Sequence, residues 1–282
     1  NNPDIQTPTP ANRINDILRT EEPLLRTYII EYSGNDSPEL FCLRAGQHCD
    51  VIEIAEPYYL PALAGGTPND SLLPLQNTLK TMKAIEAWNI YEGDSTVVIA
   101  ISDAGTMQDH EDIFGSLWVN ANEIPGNRID DDGNGYTDDY QGYNFAWKDD
   151  GTAPGNTYNK IQAHGTYTAG IAGATANNHI GICGAGNKCI IFPLKCTSEN
   201  NAFVISYGYQ SIIYAVLMGF DVINCSWTSF NHSCINQSVI DYALSKNLVV
   251  VAAAGNGNKT TSVFPASYKG VLGVGITNEN DF

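Results

Sequence analysis

From residue 75 onward the chain alternates between short runs that are apolar at nearly every position and longer stretches with a helical pattern. The apolar runs are "STVVIAIS" (95–102), "CIIFPLK" (189–195), "DVINCS" (221–226), "LVVVAAA" (248–254) and "GVLGVGI" (270–276). A continuous apolar run predicts a strand covered on both faces, as in a parallel sheet, whereas strict alternation would predict a half-solvated one. Between them, residues 164–176, 206–218 and 235–246 predict helices. Strands and helices in alternation predict an α/β fold with a doubly wound, mostly parallel sheet.

The first quarter of the chain has a different texture. Residues 1–24 are polar and proline-rich and read as a lead-in. "RTYIIEY" (26–32) and "VIEIAEPYY" (51–59) predict strands around a short helix in "SPELFCLRAG" (37–46), so 25–60 reads as a small α+β piece. Glycine, proline and asparagine crowd "PALAGGTPNDSLLP" (61–74), which predicts a linker before a main domain at 75–282. The start at Asn1, with neither Met nor an apolar signal core, reads as a processing boundary.

Charge narrows the function classes. The net charge of −17 excludes a nucleic-acid binder, whose partner demands a basic face. No apolar run is long enough to span a bilayer. The seven cysteines include three pairs close in sequence, Cys42 with Cys49, Cys183 with Cys189, and Cys225 with Cys234, leaving Cys196 odd. Disulfides at these places predict an oxidising, extracellular location. No cysteine or histidine spacing predicts zinc.

In open α/β sheets, functional groups collect beyond the carboxyl ends of the strands. Asp103 ends "VVIAIS", His164 opens "HGTYTAGIAG", and Asn256 follows "LVVVAAAG". A carboxylate can orient an imidazole, the imidazole can take a proton from a nucleophile, and an amide can donate to an oxyanion. The helix dipole at His164 predicts a disfavoured imidazolium. Singly, each residue also reads as a turn or cap.

Jointly, "VVIAISDAG", "HGTYTAGIAG" and "VINCSW…VVVAAAGN" resemble the subtilisin-like serine protease family, from about residue 68 to 282. The resemblance implies that Asp103 orients, His164 acts as general base and acid, and Asn256 donates to the oxyanion. It further implies that Ser226, Trp227, Thr228, Ala253, Ala254 and Gly255 line a cleft for peptide or protein substrates. Residues 26–59 resemble the later part of the family's inhibitory prodomain, which implies a secreted zymogen matured by cleavage in the linker.

The family's Gly-Thr-Ser-x-Ala nucleophile block has no counterpart in the chain. Ser262 and Ser267 in "TTSVFPAS" lack its small-residue setting. The expectation is therefore a chain truncated before its serine and inactive alone. The alternative is a pseudoprotease or peptide-binding module that keeps the fold, and a third reading is an unrelated α/β protein. Ala104 stands where the family commonly has Thr or Ser, removing a hydroxyl beside Asp103.

The loop "NRIDDDGNGYTDDYQGYNF" (127–145) carries one further signal. Asp130, Asp132, Asn134 and Asp138, with the Tyr136 carbonyl, follow the oxygen spacing of a calcium loop, although Gln141 stands where the bidentate Glu would be. Crowded carboxylates repel unless screened, so the spacing predicts structural calcium.

Overall fold

A computed structural model describes residues 28, 30, 37–47, 52, 54–57, 66–257 and 260–277. The chain divides into two compact units, Asn1–Pro61 and Ala62–Phe282. In the first, helix α1 (Pro38–Ala45) begins where Ser37 accepts the Leu40 N–H and Pro38 takes the first turn. The strands expected at 26–32 and 51–59 fall largely outside the described residues, and 28, 30, 52 and 54–57 carry no strand.

The second unit is built on six parallel-paired strands: β1 (Val98–Asp103), β2 (Tyr143–Asn144), β3 (Ile190–Lys195), β4 (Val222–Cys225), β5 (Val249–Ala253) and β6 (Leu272–Val274). Their order is β2-β3-β1-β4-β5-β6, with every pairing parallel. Chain progress to one side of β1 and then the other makes this a doubly wound sheet, as its apolar runs predict. β2 is only two residues long and follows a polar loop, so no apolar run announces it.

Among the described residues six helices accompany the sheet: α2 (Asn77–Thr81), α3 (Ala84–Trp88), α4 (Trp147–Asp150), α5 (His164–Gly173), α6 (Gly208–Leu217) and α7 (Cys234–Ser245). Strand parity sorts the core. Val98, Ala100, Phe192, Leu194, Ile223 and Val250 pack with Ile212 and Ala215 of α6 and with Ile240 and Ala243 of α7. The alternate residues Ile99, Ile101 and Ile191 pack with Ala169 and Ala172 of α5. No helix among the described residues is long and apolar enough to cross a membrane.

Residues 69–73, at the end of the expected linker, bond within the second unit: Leu72 N–H donates to the Gly181 carbonyl, and Asp70 accepts the Asn177 N–H. The disulfides at Cys183–Cys189 and Cys225–Cys234 do not form, and Cys49 lies outside the described residues. The reason is placement. Cys225 is turned into the sheet core beside Cys196, whereas Cys234 is exposed at the first residue of α7. Cys183 is buried among Leu73, Leu79, Ala84 and Trp88. Burial pushes the Cys183 and Cys196 thiols up to about 12, keeping both protonated and unreactive at neutral pH. The cysteine argument for an oxidising compartment lapses.

Candidate active site

The parity that faces Ile99 and Ile101 toward α5 also delivers Asp103 to that face. α5 has no N-cap side chain; it begins at His164 and buries Gly165, Ala169, Gly170 and Gly173. The small residues are a packing requirement. A Cβ on Gly165 would lie 2.3 Å from the Gly105 carbonyl oxygen, and one on Gly173 would lie 2.4 Å from Ile191 Cγ2. With hydrogen in those places, the first turn of α5 seats directly on the segment that follows Asp103.

The result is a contact of 2.7 Å between His164 Nδ1 and Asp103 Oδ1. The Asp103 side chain is 2% exposed and that of His164 49%, so the pair has a buried anchor and an open imidazole. Ala104 N–H donates to Oδ1 at 2.6 Å and the Thr168 hydroxyl to Oδ2 at 3.0 Å. Thr168, one turn after His164 on the same helix face, thus supplies the hydroxyl that Ala104 lacks. Its (i, i+4) spacing from His164 is the signal that could have found it. A carboxylate can only accept, so the Nδ1 proton faces Asp103 and Nε2 is left to accept.

Hydrogen bonding to Asp103 raises the His164 pKa above its usual value; burial opposes this, and charge attraction to Asp103 adds to it. This reverses the expectation from the helix dipole: a direct charge-assisted bond outweighs partial charges spread over the first turn.

The neighbouring strands end at the same edge. Register pairs Ser102 with Cys225 and Cys225 with Ala252, so the segments after β4 and β5 emerge beside the end of β1. Ser226 Oγ accepts from Asn224 Nδ2 at 2.8 Å. Trp227 Nε1 donates to Ser102 Oγ at 3.0 Å, and its ring lies against Gly208, where a Cβ would come within 2.4 Å. Thr228 is exposed, and Ser229 bridges to Phe264 in an antiparallel pair. Ala253 ends β5, the Ala254 N–H donates to the Val274 carbonyl, and Gly255 turns at φ 87°. Asn256 follows, exposed. Among the described residues no hydroxyl or thiol hydrogen-bonds to His164 Nε2. Ser262 is exposed, and Ser267 Oγ accepts from Val263 N–H at 3.2 Å.

Next to Asp103 in register stands Lys195, a fully buried cation missed in the sequence because it closes an apolar run. Its Nζ lies 3.4 Å from Asp150 Oδ2, and 3.4 Å from the Tyr158 carbonyl ahead of α5. Burial pushes the Asp150 carboxyl up, but Thr152, the Glu199 N–H and Lys195 together hold it below the usual range.

The acidic loop gathers differently from its spacing. Carboxylate oxygens of Glu123, Asp130 and Asp132 converge to within 4.8 Å of one another. Asn134 turns its oxygen to Tyr136 N–H and its amide to Asp139, while Asp138, outside that carboxylate cluster, accepts the Arg128 N–H. The Tyr136 ring packs edge-on against Tyr143 and Tyr214. Glu123 lies outside the quoted loop, so spacing within the loop could not reveal it. It is 4% exposed, and its Oε2 has no partner. Burial raises the pKa of Glu123, and likewise that of the fully buried Asp139, which accepts from Tyr214 at 2.7 Å. A hard cation with oxygen ligands fits this donor set.

The family profile described as the Subtilase family, Peptidase S8, matches residues 94–281. The chain is 33% identical over 238 residues to the thermophilic serine proteinase of Bacillus sp. (strain AK1), covering 82% of this chain and 51% of that protein. It is 31% identical over 216 residues to thermitase of Thermoactinomyces vulgaris, covering 76% of this chain and 67% of that protein. The chain thus spans about half the length of the first relative and two thirds of the second. A solved protease structure from Pseudoalteromonas arctica shares the fold, with a TM-score of 0.57 and 24% identity over 76% of this chain and 67% of that one. A profile match over most of the chain, carried on this parallel sheet, places the protein in the Subtilase family.

Proposed function

We propose that the chain is the Asp- and His-bearing part of a secreted serine endopeptidase. The observation that carries this is the 2.7 Å contact between buried Asp103 and half-open His164 at the carboxyl edge of the sheet. In this reading His164 Nε2 takes the proton of a serine hydroxyl as that oxygen attacks the peptide carbonyl. Asp103 stabilises the imidazolium that forms, and the proton passes to the leaving amine. Asn256 donates to the oxyanion. The segments Ser226–Thr228 and Ala253–Gly255 hold the substrate backbone. Among the described residues no hydroxyl stands at His164 Nε2 to play the serine's part.

Residues 25–60 act as part of an inhibitory prodomain. Because 69–73 are pinned to the second unit, the maturation cut falls before residue 69. Calcium sits at Glu123, Asp130 and Asp132, where it would pair the unpartnered Glu123 oxygen and hold the loop against α6 through the Asp139–Tyr214 bond.

The alternative reading is a pseudoprotease or peptide-binding module that keeps the fold. The test is labelling by a serine-directed fluorophosphonate of the protein extended through its downstream coding sequence. Labelling that disappears on His164→Ala supports the peptidase. A coding sequence that stops without a Gly-Thr-Ser-x-Ala block, and a product that does not label, would sink it.

A further inference from the structure

We propose that Asn159 is a positioning residue for the dyad: its amide clasps the backbone that follows Asp103 and the backbone that leads into His164, and so fixes the imidazole on the carboxylate. The inference rests on the peptidase reading, because it names what holds that reading's general base. Asn159 lies in the loop ahead of α5 and is only 4% exposed. Its Nδ2 donates to the Ala104 carbonyl and to Thr197 Oγ1, both at 3.0 Å. Its Oδ1 accepts the Ile161 N–H at 3.0 Å and the Gln162 N–H at 3.2 Å. An amide offers two N–H donors and an oxygen with two lone pairs, so every hydrogen-bonding position of this side chain is filled.

The two ends of the amide act on different segments. Ala104 is the residue whose N–H donates to Asp103 Oδ1, and its carbonyl is held twice, by Asn159 and by the Thr197 hydroxyl at 2.8 Å. Buried Thr197 follows β3, so a neighbouring strand braces the same point. At the other end, the Oδ1 bonds to the residues two and three ahead make an Asx-type turn that bends the chain toward α5. Gln162, within that turn, accepts the His164 N–H on its side-chain oxygen at 3.1 Å. The segments approach closely: a Cβ on Gly105 would lie 2.4 Å from the Thr157 carbonyl oxygen and 3.2 Å from Asn159 Cβ. Gly165 sets how near α5 comes, and Asn159 fixes the lead-in that carries His164. A fully satisfied buried network rigidifies what it joins, and a reacting group misplaced by about 1 Å can lose about 10²-fold in rate.

The experiment is an NMR titration of the His164 ring in the full chain, its signals assigned by their loss in His164→Ala. Asn159→Ala keeps Asp103, at 2.7 Å from the ring, and Lys195, next to Asp103 in register. The charges around the imidazole are then unchanged, so a moved midpoint reports geometry. The expected result is a fall from the native midpoint toward that of Asp103→Asn. Ser233→Ala, which removes the cap of α7 on the opposite face of the sheet, controls for general loosening and leaves the midpoint at its native value. Where Asn159→Ala does not fold, the near-isosteric Thr197→Val decides in its place: it lowers the midpoint, and Thr197→Ser, which keeps the hydroxyl, restores it. A native midpoint in the deciding variant, an equal fall in Ser233→Ala, or a Thr197→Ser that fails to restore the midpoint overturns the inference. Fluorophosphonate labelling judges the peptidase reading separately: a protein that does not label can still show the Asn159 effect, and one that labels can lack it.

Discussion

The Asp103–His164 region and the acidic loop at 120–139 both bury carboxylates within one domain, yet they solve the charge problem in opposite ways. Around the dyad, each buried charge meets its opposite. Asp103 meets an imidazole and two further donors, and Lys195 meets an Asp150 that is held ionised. In the loop, Glu123, Asp130 and Asp132 meet backbone N–H groups and one another, and burial raises Glu123 and Asp139 instead of their being neutralised. The first region is complete in itself. The second needs a charge that the described residues do not supply. On the proposed reading, the first serves proton transfer and the second holds a cation.

The comparison breaks most visibly if a paired charge is orphaned. Asp150→Ala leaves Lys195 in the core with only Glu199 at 3.8 Å and a carbonyl. Removing one member of a buried pair costs about 3–5 kcal/mol, read as a lower urea midpoint at unchanged slope. Gly165→Ala comes next. Its Cβ would press on the Gly105 carbonyl, and overpacking of this kind costs about 1–3 kcal/mol while lifting His164 away from Asp103. Calcium sharpens the other side. At a hundredfold excess over its dissociation constant it adds about 2.7 kcal/mol. The melting temperature then falls in chelator, and Asp132→Ala or Glu123→Gln removes the difference. Identical melting curves in calcium and chelator would reduce the loop to a solvated turn.

Much of this was legible in the chain because backbone periodicity is local. The five long strands came from apolar runs, and α5, α6 and α7 from spacing, each within a few residues of its observed bounds. The places of Asp103 and His164 at the ends of their elements were legible for the same reason, whereas their roles came only from the family resemblance. Partners that meet across long separations were not. Glu123 joins Asp130 from outside the motif, and Lys195 hides in an apolar run because its partner lies 45 positions earlier. The cysteine pairs show the converse error. For Cys225 and Cys234, closeness in sequence suggested a bond that strand parity and a helix start keep apart.

His164 carries the central claim, that Asp103 holds it as a base. Its pKa is raised in the fold, so the pair stabilises the protein below the unfolded-state value and loses that contribution as pH rises through the folded one. The neutral base needed for catalysis gains ground over the same interval. The most direct measurement is an NMR titration of the His164 ring in the intact chain and in Asp103→Asn. The account predicts a midpoint above the usual 6.5 in the native chain and a clear fall in the variant. The same midpoint in both would mean that Asp103 does not hold His164, and the account would be wrong at its centre.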